Sequence, residues 1–178
     1  PIPGGWRQRN VQVESRQFQL TVPADPDRLL EVLTEEVETV QTPPIYWAAL
    51  WSAAVPTASA VLRGTWPRQQ RALEIGCGIG LVGLAGLAAG LQVTFSDAVP
   101  TAVQLAVENA HQNGFPDAAY MTLDWWRGRP DATFPVILAS DVLYEREDHE
   151  AVVRLLSGTL TEHGVCWIGD PGRAYTGK

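Results

Sequence analysis

A glycine-rich turn carries the strongest chemical signal in this sequence. It reads Glu74-Ile-Gly76-Cys77-Gly78-Ile-Gly80 and lies between a short apolar run and a run of leucine, alanine and glycine. Glycines at alternate positions let the backbone turn sharply and let a ligand approach it closely. A helix that begins after the turn adds free backbone N–H groups. The pattern therefore predicts a ligand-binding loop, with a purely structural turn between strand and helix as the alternative.

The register of the glycines separates two candidate ligands, a dinucleotide and S-adenosylmethionine. Gly78-x-Gly80-x-x-Gly83 matches the dinucleotide fingerprint, in which the first glycine directly follows the strand. In this sequence the glycine that directly follows the strand is Gly76. Counted from Gly76, the fingerprint requires its third glycine at position 81, but residue 81 is a leucine. The acidic Glu74 would repel a pyrophosphate, whereas it suits the ammonium and sulfonium charges of S-adenosylmethionine. The turn therefore favours S-adenosylmethionine.

Acidic and aromatic residues end the two predicted strands that follow the turn. Asp97 stands 17 residues after Gly80, where a carboxylate can accept both ribose hydroxyls of an adenosine or cap the next helix. Asp124 could accept from the exocyclic amine of adenine. Trp125 could pack on the base or be a simple rim aromatic. Its neighbour Trp126 is expected to point elsewhere and to serve packing.

Strand and helix patterns alternate from residue 71 onward. Such alternation predicts an α/β fold: a Rossmann-like, doubly wound, mostly parallel sheet with helices on both faces. The predicted strands are 72–75, 91–95, 118–123, 134–139 and 165–168, and the predicted helices are 81–89, 100–112 and 147–160. Residues 45–178 form the predicted ligand-binding domain, with a partly helical stretch after Pro56. Residues 1–44 form a predicted extension packed on it, with a strand or hairpin over 11–22 and a helix from Asp27.

Composition narrows the class of protein. The 178 residues suit one domain, and 46% hydrophobic against 19% charged residues excludes a disordered chain. The net charge of −7 disfavours nucleic acid as a partner. Two cysteines build neither a disulfide framework nor a zinc site, so we expect no metal and a cytoplasmic protein. The uncharged stretch 75–96 contains six glycines, and we interpret it as strand, loop and helix rather than a membrane span.

At these residues the sequence resembles the class I, seven-strand S-adenosylmethionine-dependent methyltransferases. It is most similar to methyltransferase family 16, which includes many protein-lysine methyltransferases. The resemblance covers roughly residues 45–175. The motif Ile137-Leu-Ala-Ser-Asp-Val-Leu-Tyr144 is the most specific, because Asp141-x-x-Tyr144 is the signature of this family. The other matching segments are 50–54, 73–83, 95–97, 107–114 and 123–125.

The resemblance implies a cofactor, S-adenosylmethionine, with S-adenosylhomocysteine (SAH) as its product. Trp51 would pack beside the methionine part of the cofactor, and the backbone of Ser140 would contact the cofactor. Asp141 and Tyr144 would line the channel of the methyl acceptor, with a helix cap and a packed aromatic as their structural alternatives. Trp47 could form the channel wall or belong to the core. The implied roles of the turn residues 76–78, of Asp97 and of Trp125 agree with those argued above.

The implied reaction is methyl transfer to an amine, with a protein lysine as the leading acceptor. A carboxylate raises the pKa of a nearby amine, so Asp141 is expected to orient the lysine rather than deprotonate it. Asp141-Val-Leu-Tyr144 lacks the two prolines common in nucleic-acid amino methyltransferases. A small amine as acceptor, a nicotinamide dinucleotide protein and a noncatalytic protein of the same fold remain as alternatives.

The C-terminal end departs from the family pattern. Such domains close with an antiparallel strand pair after the fifth strand, and only ten residues follow Ile168. We therefore expect that strand pair to be missing or truncated.

Overall fold

The structure is a computed structural model that describes residues 2, 4–25, 27–28, 31 and 45–172. In chain order its elements are β1 (Trp6–Val13), β2 (Arg16–Pro23), a 3-10 helix (Ile45–Ala48), α1 (Ala54–Arg63), β3 (Arg71–Ile75), α2 (Leu81–Ala88), β4 (Gln92–Asp97), α3 (Pro100–Gln112), β5 (Ala119–Thr122), β6 (Phe134–Ser140), α4 (Asp148–Thr159) and β7 (Leu160–Gly169). From residue 71 onward these bounds confirm the predicted strands and helices to within two residues, except that β7 begins five residues earlier. The hairpin predicted over 11–22 is present, but it also begins five residues earlier, at Trp6. The helix predicted from Asp27 lies largely outside the described residues, and the division at residue 44 stays a prediction.

The strands β3 to β7 form one parallel sheet in the order β5-β4-β3-β6-β7. The chain first adds strands on one side of β3 and then returns to add β6 and β7 on the other side. The predicted doubly wound, Rossmann-like α/β fold is therefore confirmed. A crevice opens at the carboxyl ends of β3 and β6, where the order reverses, and ligands bind there in such sheets. Among the described residues β7 is the last strand of this sheet.

Alternate residues of the central strands enter two separate cores. Ala72, Val136 and Leu138 pack with α1, α2 and α3 on one face. Leu73 and Ile137 pack on the other face with α4. A strand covered on both faces is apolar at nearly every position, which explains the continuous apolar run in β6.

The antiparallel hairpin of β1 and β2 is fastened to the sheet layer through α3. Its inward side chains, among them Phe18 and Leu20, join the core on the α1 side. The fully buried Asn109 of α3 accepts a hydrogen bond from Thr21 N (2.8 Å) through Oδ1. Its Nδ2 donates to Ile79 O (2.9 Å) in the glycine-rich turn. One amide side chain thus links the hairpin to the turn.

We predict that Asn109→Ala lowers the free energy of unfolding by about 2–4 kcal/mol, because it leaves the part-buried N–H of Thr21 and the buried carbonyl of Ile79 unpaired. Asn113→Ala is the matched control on the same helix. Asn113 also binds the β2 backbone, at Gln19, but those bonds are exposed, and we expect a loss below about 1 kcal/mol. Urea denaturation measures both changes, and equal losses would contradict a special role of Asn109.

Candidate active site

A cavity of about 430 Å³ opens at the carboxyl ends of the central strands. It lies where the strand order reverses, and its size is ordinary for a small-molecule site. It brings together ten of the twelve site residues predicted from the sequence. These are Trp51, Glu74, Gly76, Cys77, Gly78, Asp97, Trp125, Ser140, Asp141 and Tyr144. Gly80 and Asp124 do not line it.

The turn after β3 forms the floor of this cavity, and its glycines are required by geometry. Gly76 and Gly78 have φ angles of 60° and 49°, in the left-handed region. A Cβ at Gly76 would lie 2.9 Å from Val142 Cγ1, and one at Gly78 would lie 2.7 Å from the carbonyl oxygen of Trp47. Gly80 also has positive φ, but it faces α3, where a Cβ would meet Ala106 at 2.9 Å. Gly80 therefore permits helix packing rather than lining the cavity.

Glu74 is a carboxyl group buried in the wall of the cavity, with only 3% of the residue exposed. Burial raises its pKa to about 8; the Gly83 backbone N–H opposes the rise, and the charge of Asp97 adds to it. Within the described part of the chain, Oε2 makes no hydrogen bond of normal geometry. Native proteins rarely leave a buried polar oxygen unpaired without a functional reason. Glu74 is therefore suited to receive a cationic ligand.

Asp97 at the end of β4 joins the glycine-rich turn to the start of α3. Its Oδ2 accepts from Gly78 N and its Oδ1 accepts from Val99 N, both at 3.0 Å. Burial raises the pKa of Asp97, and these backbone hydrogen bonds oppose the rise. Val99, rather than Asp97, occupies the N-cap position of α3. The Asp97 carboxylate thus lies against the glycine-rich turn and lines the cavity.

Cys77 lines the cavity as a neutral thiol. Burial, together with the nearby carboxyl groups of Glu74 and Asp97, raises its pKa well above the ordinary value. Nucleophilic attack by cysteine requires the thiolate. Cys77 therefore contributes shape to the site rather than a reactive group.

Aromatic rings from distant parts of the chain surround the mouth of the cavity. The indole N–H of Trp51 donates to Tyr46 O at 2.7 Å. The Tyr46 ring lies 6.0 Å from the Trp51 ring and 5.9 Å from the Tyr144 ring, measured between centroids. Trp47 also lines the cavity and contacts Trp6 of β1 at a centroid distance of 6.2 Å. Aromatic faces at these positions can hold a cationic side chain.

Asp141 fixes the segment that carries these rings. Its Oδ2 accepts from Ala53 N (3.0 Å) and from Ser140 Oγ (3.1 Å). Its own backbone lies in the left-handed region, with φ of 59°, a conformation that non-glycine residues keep where the surrounding structure enforces it. The N-cap of α4 is Glu147, so Asp141 does not cap that helix.

Tyr144 completes the mouth and keeps its proton. Burial raises its pKa to about 12, with Asp148 and Asp97 adding to the rise. The residue is still 39% exposed, so an incoming group can reach it. At neutral pH its hydroxyl can both donate and accept hydrogen bonds.

The two indole nitrogens after β5 converge on one carboxylate. Trp126 stays outside the cavity that Trp125 lines, as predicted, but it is half exposed rather than fully packed. Both indole N–H groups donate to Asp148 Oδ1, at 3.2 Å from Trp125 and 2.9 Å from Trp126. Asp124 turns away from the cavity: it accepts from Trp126 N at 2.9 Å and pairs with Arg127 at 3.3 Å. Trp125 lines the cavity as expected, but Asp124 does not reach it.

Sequence reasoning did not identify Tyr46, which lines the cavity, or Asn109 and Asp148, which bind residues that line it. Asn109 carried a usable signal, because it falls between Ala106 and Ala110 on the apolar face of its helix. An amide on such a face must find buried partners. Tyr46 and Asp148 gave no comparable signal, since their partners lie in other segments of the chain.

The acidic and aromatic groups of the site fit S-adenosylmethionine. The buried Glu74 carboxyl group suits an ammonium group, the Asp97 carboxylate suits ribose hydroxyls, and the Trp125 ring suits a purine. Within the described part of the chain, no group of three or more His, Cys, Asp and Glu side chains could hold a metal ion. None of the described helices has the length and apolarity that a membrane crossing requires.

Comparisons with known proteins find similarity to methyltransferases. The sequence profile described as "Lysine methyltransferase" matches residues 47–173. Histone-arginine methyltransferase METTL23 of Rattus norvegicus is 32% identical over 138 residues, which are 73% of this chain and 59% of that protein. Protein N-lysine methyltransferase METTL21A of Danio rerio is 30% identical over 117 residues, 61% of this chain and 53% of that protein. The chain thus spans little more than half the length of these relatives.

A solved structure supports the fold. Coclaurine N-methyltransferase, bound to N-methylheliamine and SAH, superposes with a TM-score of 0.55 at 15% identity. The match covers 82% of this chain and 51% of that chain.

We predict that the apo chain loses stability as the pH rises from about 4.5 to about 8. Native Glu74 holds its proton up to about pH 8, whereas the unfolded chain releases it near 4.5. Unfolding therefore releases a proton in this window, and the contribution of Glu74 to the unfolding free energy falls by about 1.4 kcal/mol per pH unit. Glu74→Gln should remove this slope, and the control Glu108→Gln, at an exposed position, should keep it. Parallel curves for wild type and Glu74→Gln would contradict the assigned pKa.

We also predict that Asp97→Ala weakens SAH binding by about 10- to 100-fold, because a charged acceptor of ligand hydrogen bonds is lost. Asp124→Ala, which removes a carboxylate outside the cavity, should change the affinity less than about twofold. Isothermal titration calorimetry measures both. If Asp124→Ala weakened SAH binding more than Asp97→Ala does, the assignment of Asp97 as the ligand-binding carboxylate would be wrong.

Proposed function

This chain belongs to the lysine methyltransferase family, methyltransferase family 16, and we propose that it transfers a methyl group from S-adenosylmethionine to a lysine side chain of a protein. One observation carries the proposal. Two buried carboxyl groups, Glu74 and Asp97, line the same cavity as the aromatic rings of Tyr46 and Tyr144. A cationic nucleoside and a cationic acceptor thus both find complementary groups.

The cofactor would be held by the residues on the floor and walls of the cavity. Glu74 would bind the ammonium group, Asp97 the ribose hydroxyls and Trp125 the purine. When bound, S-adenosylmethionine supplies a methyl group on a positively charged sulfur. The protein has only to place a neutral amine in line with that bond, and positioning of this kind lowers the barrier by several kcal/mol.

The acceptor would enter between the aromatic rings at the mouth. Tyr46 and Tyr144 would hold the lysine ammonium by cation–π contact and hydrogen bonding. Asp141 raises the pKa of a nearby amine and already accepts hydrogen bonds from Ala53 and Ser140. It therefore serves to fix the mouth and to orient the amine, and water removes the proton.

An arginine acceptor is the second candidate. The relative from Rattus norvegicus is named a histone-arginine methyltransferase at 32% identity, and a guanidinium fits the same aromatic and acidic groups. A small amine is disfavoured because the relatives' names specify protein substrates. The net charge of −7 favours a basic protein segment over nucleic acid, and a cytoplasmic location stays a prediction.

Labelled S-adenosylmethionine added to an extract of the source organism tests the proposed acceptor. We expect the label in protein, and we expect methyllysine after acid hydrolysis. Methylarginine in the hydrolysate would contradict a lysine acceptor and support an arginine acceptor instead. Label only in small molecules would contradict a protein acceptor, and no transfer despite SAH binding would indicate a noncatalytic protein.

We predict that Tyr144→Phe lowers kcat by about 10- to 100-fold, because the hydroxyl that orients the amine is lost. The Kd for SAH should change less than about threefold. Tyr120→Phe is the control, since Tyr120 is 63% exposed on β5, outside the cavity. A Tyr144→Phe variant with wild-type kcat would exclude the hydroxyl from the reaction.

A further inference from the structure

Asp148, the first residue of α4, is a buried carboxylate with a specific pair of partners. The residue is only 6% exposed, although the neighbouring Glu147 and Glu150 are exposed. Its Oδ1 accepts hydrogen bonds from the indole nitrogens of Trp125 and Trp126.

The energetics of this contact favour a fixed geometry. A buried carboxylate is costly unless hydrogen bonds and nearby positive charge compensate it. The two N–H donors supply charge-assisted hydrogen bonds, and the N-terminus of α4 supplies its positive dipole end. Trp126, which supplies one of these donors, is itself half exposed. Asp148 therefore holds both rings in defined orientations.

Trp125 is held at two ends of its ring system. Its nitrogen donates to Asp148, while its six-membered ring lies next to the glycine-rich turn. Cζ3 and Cη2 lie 3.5 and 3.6 Å from the place of a Cβ at Gly76. The ring lines the cavity from the loop after β5. Without its hydrogen bond to Asp148, the Trp125 ring would be held in this orientation only by its packing against the turn.

We propose that Asp148 is a positioning residue for cofactor binding, which preorganises Trp125 as the rigid wall against the purine ring. Trp126 acts as a brace that shares the same carboxylate oxygen. The inference rests on the S-adenosylmethionine site of the proposed function. Its energetic basis is that a ring fixed before binding loses little entropy when the ligand arrives. The start of α4 is thereby coupled to the adenine end of the site.

Calorimetric titration with SAH tests the proposal. Asp148→Ala should raise the Kd about tenfold and raise the KM for S-adenosylmethionine, with kcat changed less than about twofold. Asp148→Asn keeps an acceptor oxygen for both indoles and should stay within about threefold of wild type. Glu150→Ala removes an exposed carboxylate from the same helical turn and should leave the Kd unchanged.

A double-mutant cycle separates positioning from general stability. Trp125→Phe removes the donor and keeps an aromatic ring, so it should also weaken SAH binding about tenfold. Because Asp148 acts through Trp125, adding Asp148→Ala to Trp125→Phe should weaken binding no further.

Three results would overturn the proposal: wild-type affinity in folded Asp148→Ala, wild-type affinity in Trp125→Phe, or additive losses in the double variant. If wild type itself fails to bind SAH, the proposed cofactor site is wrong instead.

Discussion

Two acidic side chains buried beneath one glycine-rich turn are the constraint on which the rest of the site depends. Glu74 and Asp97 both have pKa values raised by burial, and the charge of Asp97 raises that of Glu74 further. Such a pair is unfavourable in an empty protein and favourable around a cation. A cationic nucleoside would stabilise the two carboxyl groups, whereas the negative charge of a pyrophosphate would add to their repulsion. The choice between the two ligands thus follows from charge as much as from the register of the glycines.

The fold holds this unfavourable arrangement in place from three sides. The sheet brings the ends of β3, β4 and β6 together at the point where the strand order reverses. The hairpin reaches the turn through Asn109, which binds both Thr21 and Ile79. The aromatic segment is fastened by the hydrogen bond from Ala53 to Asp141. The contacts of Asn109 and Asp141 are buried or part-buried hydrogen bonds between distant parts of the chain, so the site is assembled only when the whole domain folds.

Much of this could be predicted from the sequence, and the failures share a physical cause. The strands of the sheet and the glycine-rich turn follow from local apolar runs and from spacing. The family motif identified Asp141 and Tyr144. By contrast, the contact of Trp126 with Asp148 and the outward turn of Asp124 depend on how a loop and a helix start meet in space. The local periodicity of the sequence carries no information about contacts between distant segments. For the same reason it did not place Tyr46 next to Tyr144 at the mouth.

Proton release on ligand binding tests the central claim most directly. At pH 7 free Glu74 is largely protonated, because its pKa is about 8, and a bound cation favours the carboxylate. Calorimetric titration with SAH in two buffers of different ionisation enthalpy gives the number of protons released. We predict that wild type releases close to one proton more than Glu74→Gln. Equal proton counts for the two proteins would show that no ligand cation meets the Glu74 carboxyl group, and would contradict this account.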